Sequence, residues 1–127
     1  MYYIELQTTN TTLFGALVTK SLVNAGLNAV RMVPILQALK KNTHIKYLNL
    51  NNNSGGTESA KMLAEVIAVN HTLTEMFMTG NNIWDEGGSA ILAAVEKSQT
   101  LQMMDLDGNK IEKAVLKKIA HAVDNNL

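Results

Sequence analysis

The stretch Leu101-Gln102-Met103-Met104-Asp105-Leu106-Asp107-Gly108-Asn109 decides the fold, because its frame, apolar-x-x-apolar-x-apolar-x-x-Asn, recurs twice upstream at a spacing of 28 residues. The copies place Ile45, Leu48, Leu50 and Asn53, then Leu73, Met76, Met78 and Asn81, then Leu101, Met104, Leu106 and Asn109 in equivalent positions. After each asparagine the period changes. Ala60, Leu63, Ala64 and Ile67, then Gly88, Ile91, Leu92 and Val95, then Leu116, Ile119, Ala120 and Val123 fall at i, i+3, i+4 and i+7, the buried stripe of a helix. A strand-like half followed by a helical half, at a period within the roughly 20 to 50 residues of repeat arrays, reads as a solenoid.

These residues resemble the leucine-rich repeats of the ribonuclease-inhibitor-like class, over residues 42–127. The segments Leu39-Lys40-Lys41-Asn42-Thr43-His44-Ile45 and Asn70-His71-Thr72-Leu73 are similar to the tropomodulin repeat domain and to repeat proteins of intracellular bacteria. The resemblance implies an α/β fold: a right-handed leucine-rich repeat solenoid with a parallel β-sheet on the concave face and α-helices on the convex face. It also implies a protein-binding role without catalysis.

Composition narrows the function classes. The chain has 127 residues, 46% of them hydrophobic and 17% charged, which describes one globular domain. Eleven basic and eleven acidic residues cancel, so no global field draws the chain to nucleic acid or to an anionic membrane. Cysteine is absent, which excludes disulfides and thiolate zinc sites and fits a reducing compartment. No apolar run reaches the roughly 18 to 20 residues of a membrane span. The start, Met1-Tyr2-Tyr3-Ile4-Glu5-Leu6, lacks the basic region and apolar core of a signal peptide. The expected location is therefore the cytoplasm, or a cytoplasm into which the chain is delivered.

Residues 1–41 are expected to hold a strand and two helices, followed by three 28-residue repeats in residues 42–127. Residues 2–6 fit the strand frame through Met1, Ile4 and Leu6. A helix is expected from near Leu13, with Leu13, Phe14, Leu17, Val18, Leu22 and Val23 on one face and Ala25-Gly26 as its stop. The rival reading makes residues 17–25 a degenerate strand unit, but Lys20 and Ala25 break its frame. A second helix spans 29–41, where Pro34 predicts a kink or a start near Val33. Gly55 stands where the later units have Ile83 and Ile111, which predicts a looser turn at Ser54-Gly55-Gly56.

Asn53, Asn81 and Asn109 are expected to form a structural ladder, each amide bonding backbone groups that the turn would otherwise bury unpaired. Catalytic or metal chemistry finds little support. Asp105, Asp107 and Asn109 mimic the opening of a calcium loop, but the glycine and closing glutamate positions hold Lys110 and Leu116. His44, His71 and His121 lack ligands at metal spacing, and no nucleophile motif or phosphate loop occurs. No enzyme activity, metal or cofactor is expected.

Side chains alternate along a strand, so the residues between the buried apolar ones point to the concave face. They are Tyr3, Glu5, Tyr47, Asn49, Asn51, Glu75, Phe77, Thr79, Met103, Asp105 and Asp107. Aromatic and thioether groups among acids make this the expected site for a basic or mixed segment of a protein partner. Trp84, in the loop after the strand of the middle repeat, is expected either to pack under the next unit or to form a second contact edge. The alternatives are a structural fragment that self-associates through exposed solenoid ends and, more distantly, a GTPase-regulatory protein. That last class often supplies an arginine, and this chain has only Arg31.

Overall fold

The computed structural model describes residues 19–127. Strands and helices alternate: β1 (Thr19–Ser21), α1 (Ala29–Leu39), β2 (Tyr47–Asn49), α2 (Gly56–Val69), β3 (Glu75–Phe77), α3 (Asp85–Val95), β4 (Met103–Asp105) and α4 (Lys113–Asp124). The strands form one parallel sheet in chain order. Lys20 pairs with Leu48, Leu48 with Met76, and Met76 with Met104, so each residue meets its equivalent 28 positions on. A register without slip keeps every inward side chain over another inward one. Ile45, Leu48, Leu50, Leu73, Met76, Met78, Leu101, Met104 and Leu106 are all buried as a result.

The helical layer closes the core with Met32, Ile35, Leu36 and Leu39 from α1, and Ala60, Leu63, Val66 and Ile67 from α2. Ile91, Ala94 and Val95 continue it in α3, and Ile119 and Val123 in α4. The buried stripe is turned slightly from the one read in the sequence. Val66 and Ala94 are buried, Ala64, Leu92 and Leu116 are half-buried, and Ala120 is exposed.

The first described unit differs from the sequence reading. Where a helix is expected up to Ala25, Thr19–Ser21 is a strand paired with β2, which is the rival frame. The reason is tertiary. Leu22 donates its N–H to the Asn49 carbonyl at 2.8 Å, Asn24 donates to Asn51 at 3.1 Å, and the Leu22 and Leu27 side chains are buried. The missing ladder asparagine at Ala25 is tolerated because Asn53, one unit on, accepts the N–H groups of both Ala25 and Leu27 at 3.0 Å. The expected strand at residues 2–6 lies outside the described residues, as do Tyr3 and Glu5.

Two further details follow from packing. Pro34 lies inside α1, which starts at Ala29 behind an Asn28 cap whose side chain accepts the Arg31 N–H at 3.2 Å. The helix therefore begins a full turn before Val33. Gly55, in turn, is buried rather than loose. The Met32 sulfur stands where a side chain on Gly55 would begin, so Met32 fills the space that Ile83 and Ile111 fill in later units.

Asparagines tie the units together from both ends of the strand. Asn53 donates to the Leu22 and Leu50 carbonyls at 3.0 and 2.9 Å. Asn81 accepts from Gly55 at 3.1 Å and donates to Leu50 at 2.8 Å, and Asn109 accepts from Asn81 and Ile83 at 2.8 and 3.0 Å. A second ladder guards the strand entrances. Asn70 accepts from Thr72 and Leu73 at 2.8 Å and donates to Leu39 and Asn42 at 2.7 and 3.1 Å. Asn42 accepts the N–H groups of His44 and Ile45 in the same way, and Ser98 those of Thr100 and Leu101. Most of these groups are buried, where an unmade bond costs about 1 to 3 kcal/mol.

Candidate concave binding face

Strand alternation buries the central residue of each strand and turns its neighbours the other way, and the pairing register arranges those neighbours in rows. Tyr47, Glu75 and Met103 share one row, and Asn49, Phe77 and Asp105 the next. Asn51, Thr79 and Asp107 follow two residues further along their strands. Met103 is 46% exposed and Asp107 is exposed, while the remaining seven are half-buried. Sequence reasoning missed Ser21, which extends the second row as the partner of Asn49, and the 40%-exposed Val23 beyond it. The signal was present in the rival frame over residues 17–25, which sets Leu22 28 positions before Leu50.

Two aromatic rings form the centre. Tyr47 and Phe77 lie diagonally across β2 and β3 with centroids 5.1 Å apart and planes tilted by 42°. Such a pair is favourable, and it still leaves both side chains partly open to water.

Several polar groups on this face are committed to the backbone. The Asn49 side-chain oxygen accepts the Asn51 N–H at 3.0 Å, and the Asn51 oxygen accepts the Thr79 N–H at 2.7 Å. The Asn49 amide also donates to the Tyr47 hydroxyl at 3.3 Å. Asp105 accepts the Asp107 N–H through Oδ1 at 3.0 Å, leaving Oδ2 for other partners. The Thr79 hydroxyl is buried and has no hydrogen-bond partner among the described residues.

The charge is one-sided. Glu75, Asp105 and Asp107 form no ion pair among the described residues. The pairs that do form lie in the helical layer: Lys40 with Glu65 at 2.8 Å, and Lys61 with Glu86 at 2.7 Å and with Glu58 at 3.9 Å. The hydrogen bond from Lys61 to Glu86 raises the lysine pKa above its ordinary value, the Glu86 charge adds to it, and burial opposes it by more than the weaker Glu58 charge contributes.

Trp84 lies off this face at the start of α3, 54% exposed, with the Lys110 ammonium 4.5 Å from the ring centroid. It is therefore not packed beneath the next unit. Arg31 is exposed on α1. A cleft of about 690 Å³ opens between the ends of α3 and α4, lined by Glu96, Lys97, Lys117, Lys118 and His121 among others. Ile119 and Val123 in the last helix are buried, and Leu116 is half-buried. Among the described residues no cluster of His, Asp and Glu is arranged to hold a metal ion. No described helix is long and apolar enough to cross a membrane.

The Leucine Rich repeat family model matches residues 41–64 and 69–92. By sequence the chain is 27% identical over 97 residues to tropomodulin-4 of Bos taurus, covering 72% of this chain and 28% of that protein. It is 27% identical over 103 residues to the Rho GTPase-activating protein gacW of Dictyostelium discoideum, covering 79% of this chain and 9% of that protein. The chain thus spans less than a third of either relative. Among solved structures, leiomodin-1 actin-binding site 2 superposes with a TM-score of 0.78 at 20% identity, covering 94% of this chain and 69% of that one. The tropomodulin C-terminal domain of Caenorhabditis elegans superposes with a TM-score of 0.63 at 14% identity, covering 98% and 90%. Both structural likenesses are of fold.

Proposed function

We propose that this chain, a leucine-rich repeat protein, binds a protein partner through the concave face of its sheet without catalysing a reaction. The observation that carries the reading is the Tyr47 and Phe77 pair, with centroids at 5.1 Å, partly exposed between Glu75 and Asp105. Aromatic anchors ringed by polar groups are where interface energy concentrates. Met103 adds a flexible apolar contact in the same row as Tyr47. The acidic groups favour a partner segment that carries positive charge.

Actin is the first partner to test, because the leiomodin-1 neighbour is itself described as an actin-binding site. A GTPase-regulatory role takes its support from the match to gacW alone. Arg31 lies in the helical layer, away from the strand residues named above.

The test measures binding of purified actin, as monomer and as filament, to the wild type, Phe77→Ala and the double reversal Glu75→Lys with Asp105→Lys. Circular dichroism checks that each variant is folded. The expected result is binding by the wild type and a loss of about fivefold or more in each variant. Where actin does not bind, the same variants are compared in capture from cell lysate. A captured protein that ignores both changes moves the contact to the helices or to the Trp84 edge and removes the concave reading.

A further inference from the structure

We infer that the segment taken by this face is a basic amphipathic helix, lying diagonally across the sheet with its apolar stripe on Tyr47 and Phe77 and its cationic flank over Glu75 and Asp105. The inference rests on the protein-binding reading above and specifies the kind of partner.

The first argument is the arrangement of side chains. Tyr47 pairs with Glu75 and Asn49 with Phe77, so the aromatic residues occupy one diagonal of the sheet. Glu75 pairs with Met103 and Phe77 with Asp105, so the two carboxylates occupy the next diagonal, parallel to the first and one strand over. An apolar stripe therefore runs beside an acidic one. The aromatic diagonal is bordered on its other side by Asn49, whose amide is engaged with Tyr47 and the Asn51 backbone. A ligand that complements the face has an apolar ridge with cations on one flank and none on the other.

The second argument is backbone satisfaction. Each peptide N–H and C=O taken from water needs a partner. The strands β2 and β3 are paired on both sides, so the centre of the face offers no open backbone edge. Of its side-chain amides, the Asn49 and Asn51 oxygens are already occupied. An extended peptide laid here would find no backbone ladder for the groups it takes out of water, only single acceptors such as the open carboxylate oxygen of Asp105. A helix makes its own backbone bonds and needs only side-chain contacts.

Spacing agrees with this choice. The 5.1 Å between the ring centroids is close to the roughly 5.4 Å rise of one helical turn, so residues at i and i+3 or i+4 of a ligand helix meet the rings in succession. The charge balance gives the sign of the flank: Glu75 and Asp105 form no ion pair among the described residues, and both are half-buried, where a charge interaction is screened less than in open water.

The test uses the whole chain and three fluorescein-labelled peptides of about 18 residues, long enough to form a helix. The first is an amphipathic Leu/Lys helix, the second has the same composition scrambled to erase the stripe, and the third has Glu in place of Lys. Fluorescence anisotropy measures Kd, and transferred NOEs read the bound conformation. The expected result is helical binding of the first peptide, about tenfold weaker binding of the scrambled one, and none of the acidic one. Phe77→Ala and Glu75→Lys should each weaken the first by about fivefold to tenfold. Equal binding of the scrambled peptide, an extended bound form, indifference to Phe77→Ala or absence of binding would each overturn the inference. A natural partner that is lost in the concave variants while no helical peptide binds would leave the protein-binding reading standing and remove this one.

Discussion

Asn109 accepts the backbone N–H of Asn81 at 2.8 Å, so the ladder asparagine of one unit closes the turn of the unit before it. The same side chain donates to the carbonyls of Met78 and Leu106 at 2.9 Å, one in each unit. Stability in such an array resides in the contacts between neighbours, and a single amide here serves two units.

Replacing Asn81 by alanine removes its bonds to the Gly55 N–H and the Leu50 carbonyl in a fully buried setting. The expected loss is about 1 to 3 kcal/mol in chemical denaturation. Asn82 is the control, but its φ of 59° penalises alanine, so the matched change is Asn82→Gly. A comparable loss in both variants would contradict the ladder.

Ser98→Asn should stabilise the chain. At the equivalent positions Asn70 bonds the Leu39 and Asn42 carbonyls and Asn126 bonds those of Ser98 and Leu101, whereas a serine offers one short donor in place of two. A narrow void lined by Ile67, Asn70, Leu73, Ser98 and Leu101, too small for a water molecule, lies beside the serine, so the longer side chain fits only with small shifts of these neighbours. A gain of about 0.5 to 2 kcal/mol in thermal or urea unfolding is expected. An unchanged midpoint would mean that the void cannot take the amide.

Gly88→Ala should destabilise α3 although alanine is the better helix former by about 1 kcal/mol. The added Cβ would stand 2.6 Å from Ile111 Cγ2, and at Gly87 it would stand 2.8 Å from both Ala60 Cβ and Ile83 Cγ2. Overpacking of this kind costs about 1 to 3 kcal/mol. A raised melting temperature in either variant would show that the units separate more easily than this packing implies.

Met76→Ala and Phe77→Ala should differ in size and in kind. Met76 is fully buried and its truncation should cost about 2 to 5 kcal/mol. Phe77 loses mainly its contact with Tyr47, an aromatic pairing worth about 0.5 to 1.5 kcal/mol. Equal destabilisation by the two would reverse the assignment of inner and outer faces.

Glu86→Gln should return the Lys61 pKa toward its ordinary 10.5, since Glu86 is the main cause of its rise. A pKa raised on folding contributes stability that is present below 10.5 and is lost as pH climbs through the folded value. The pair is at the surface, so the effect is small and screened by salt. Wild type and variant should therefore converge above that pH in denaturation measured at low ionic strength. A gap that persists there would have another origin.

Periodicity carried most of the architecture. A spacing of 28 residues places Leu48, Met76 and Met104 one above another, and strand alternation then turns Tyr47, Phe77 and Asp105 to the other side whatever surrounds them. The ladder positions Asn53, Asn81 and Asn109 were legible for the same reason, because identical turns bury identical backbone groups. Local pattern failed at Thr19–Ser21, where the apolar spacing from Leu13 to Val23 suits a helix and the strand exists because β2 lies alongside to bond it. It failed again at Gly55, whose missing side chain is replaced by Met32 from the preceding helix. The division of the concave polar groups was equally out of reach: whether Asn51 is free to meet a partner depends on a Thr79 N–H brought beside it by the next unit. A repeat writes its own strand and helix into local spacing, but which groups are filled, bonded or left open is decided by the neighbour stacked against it.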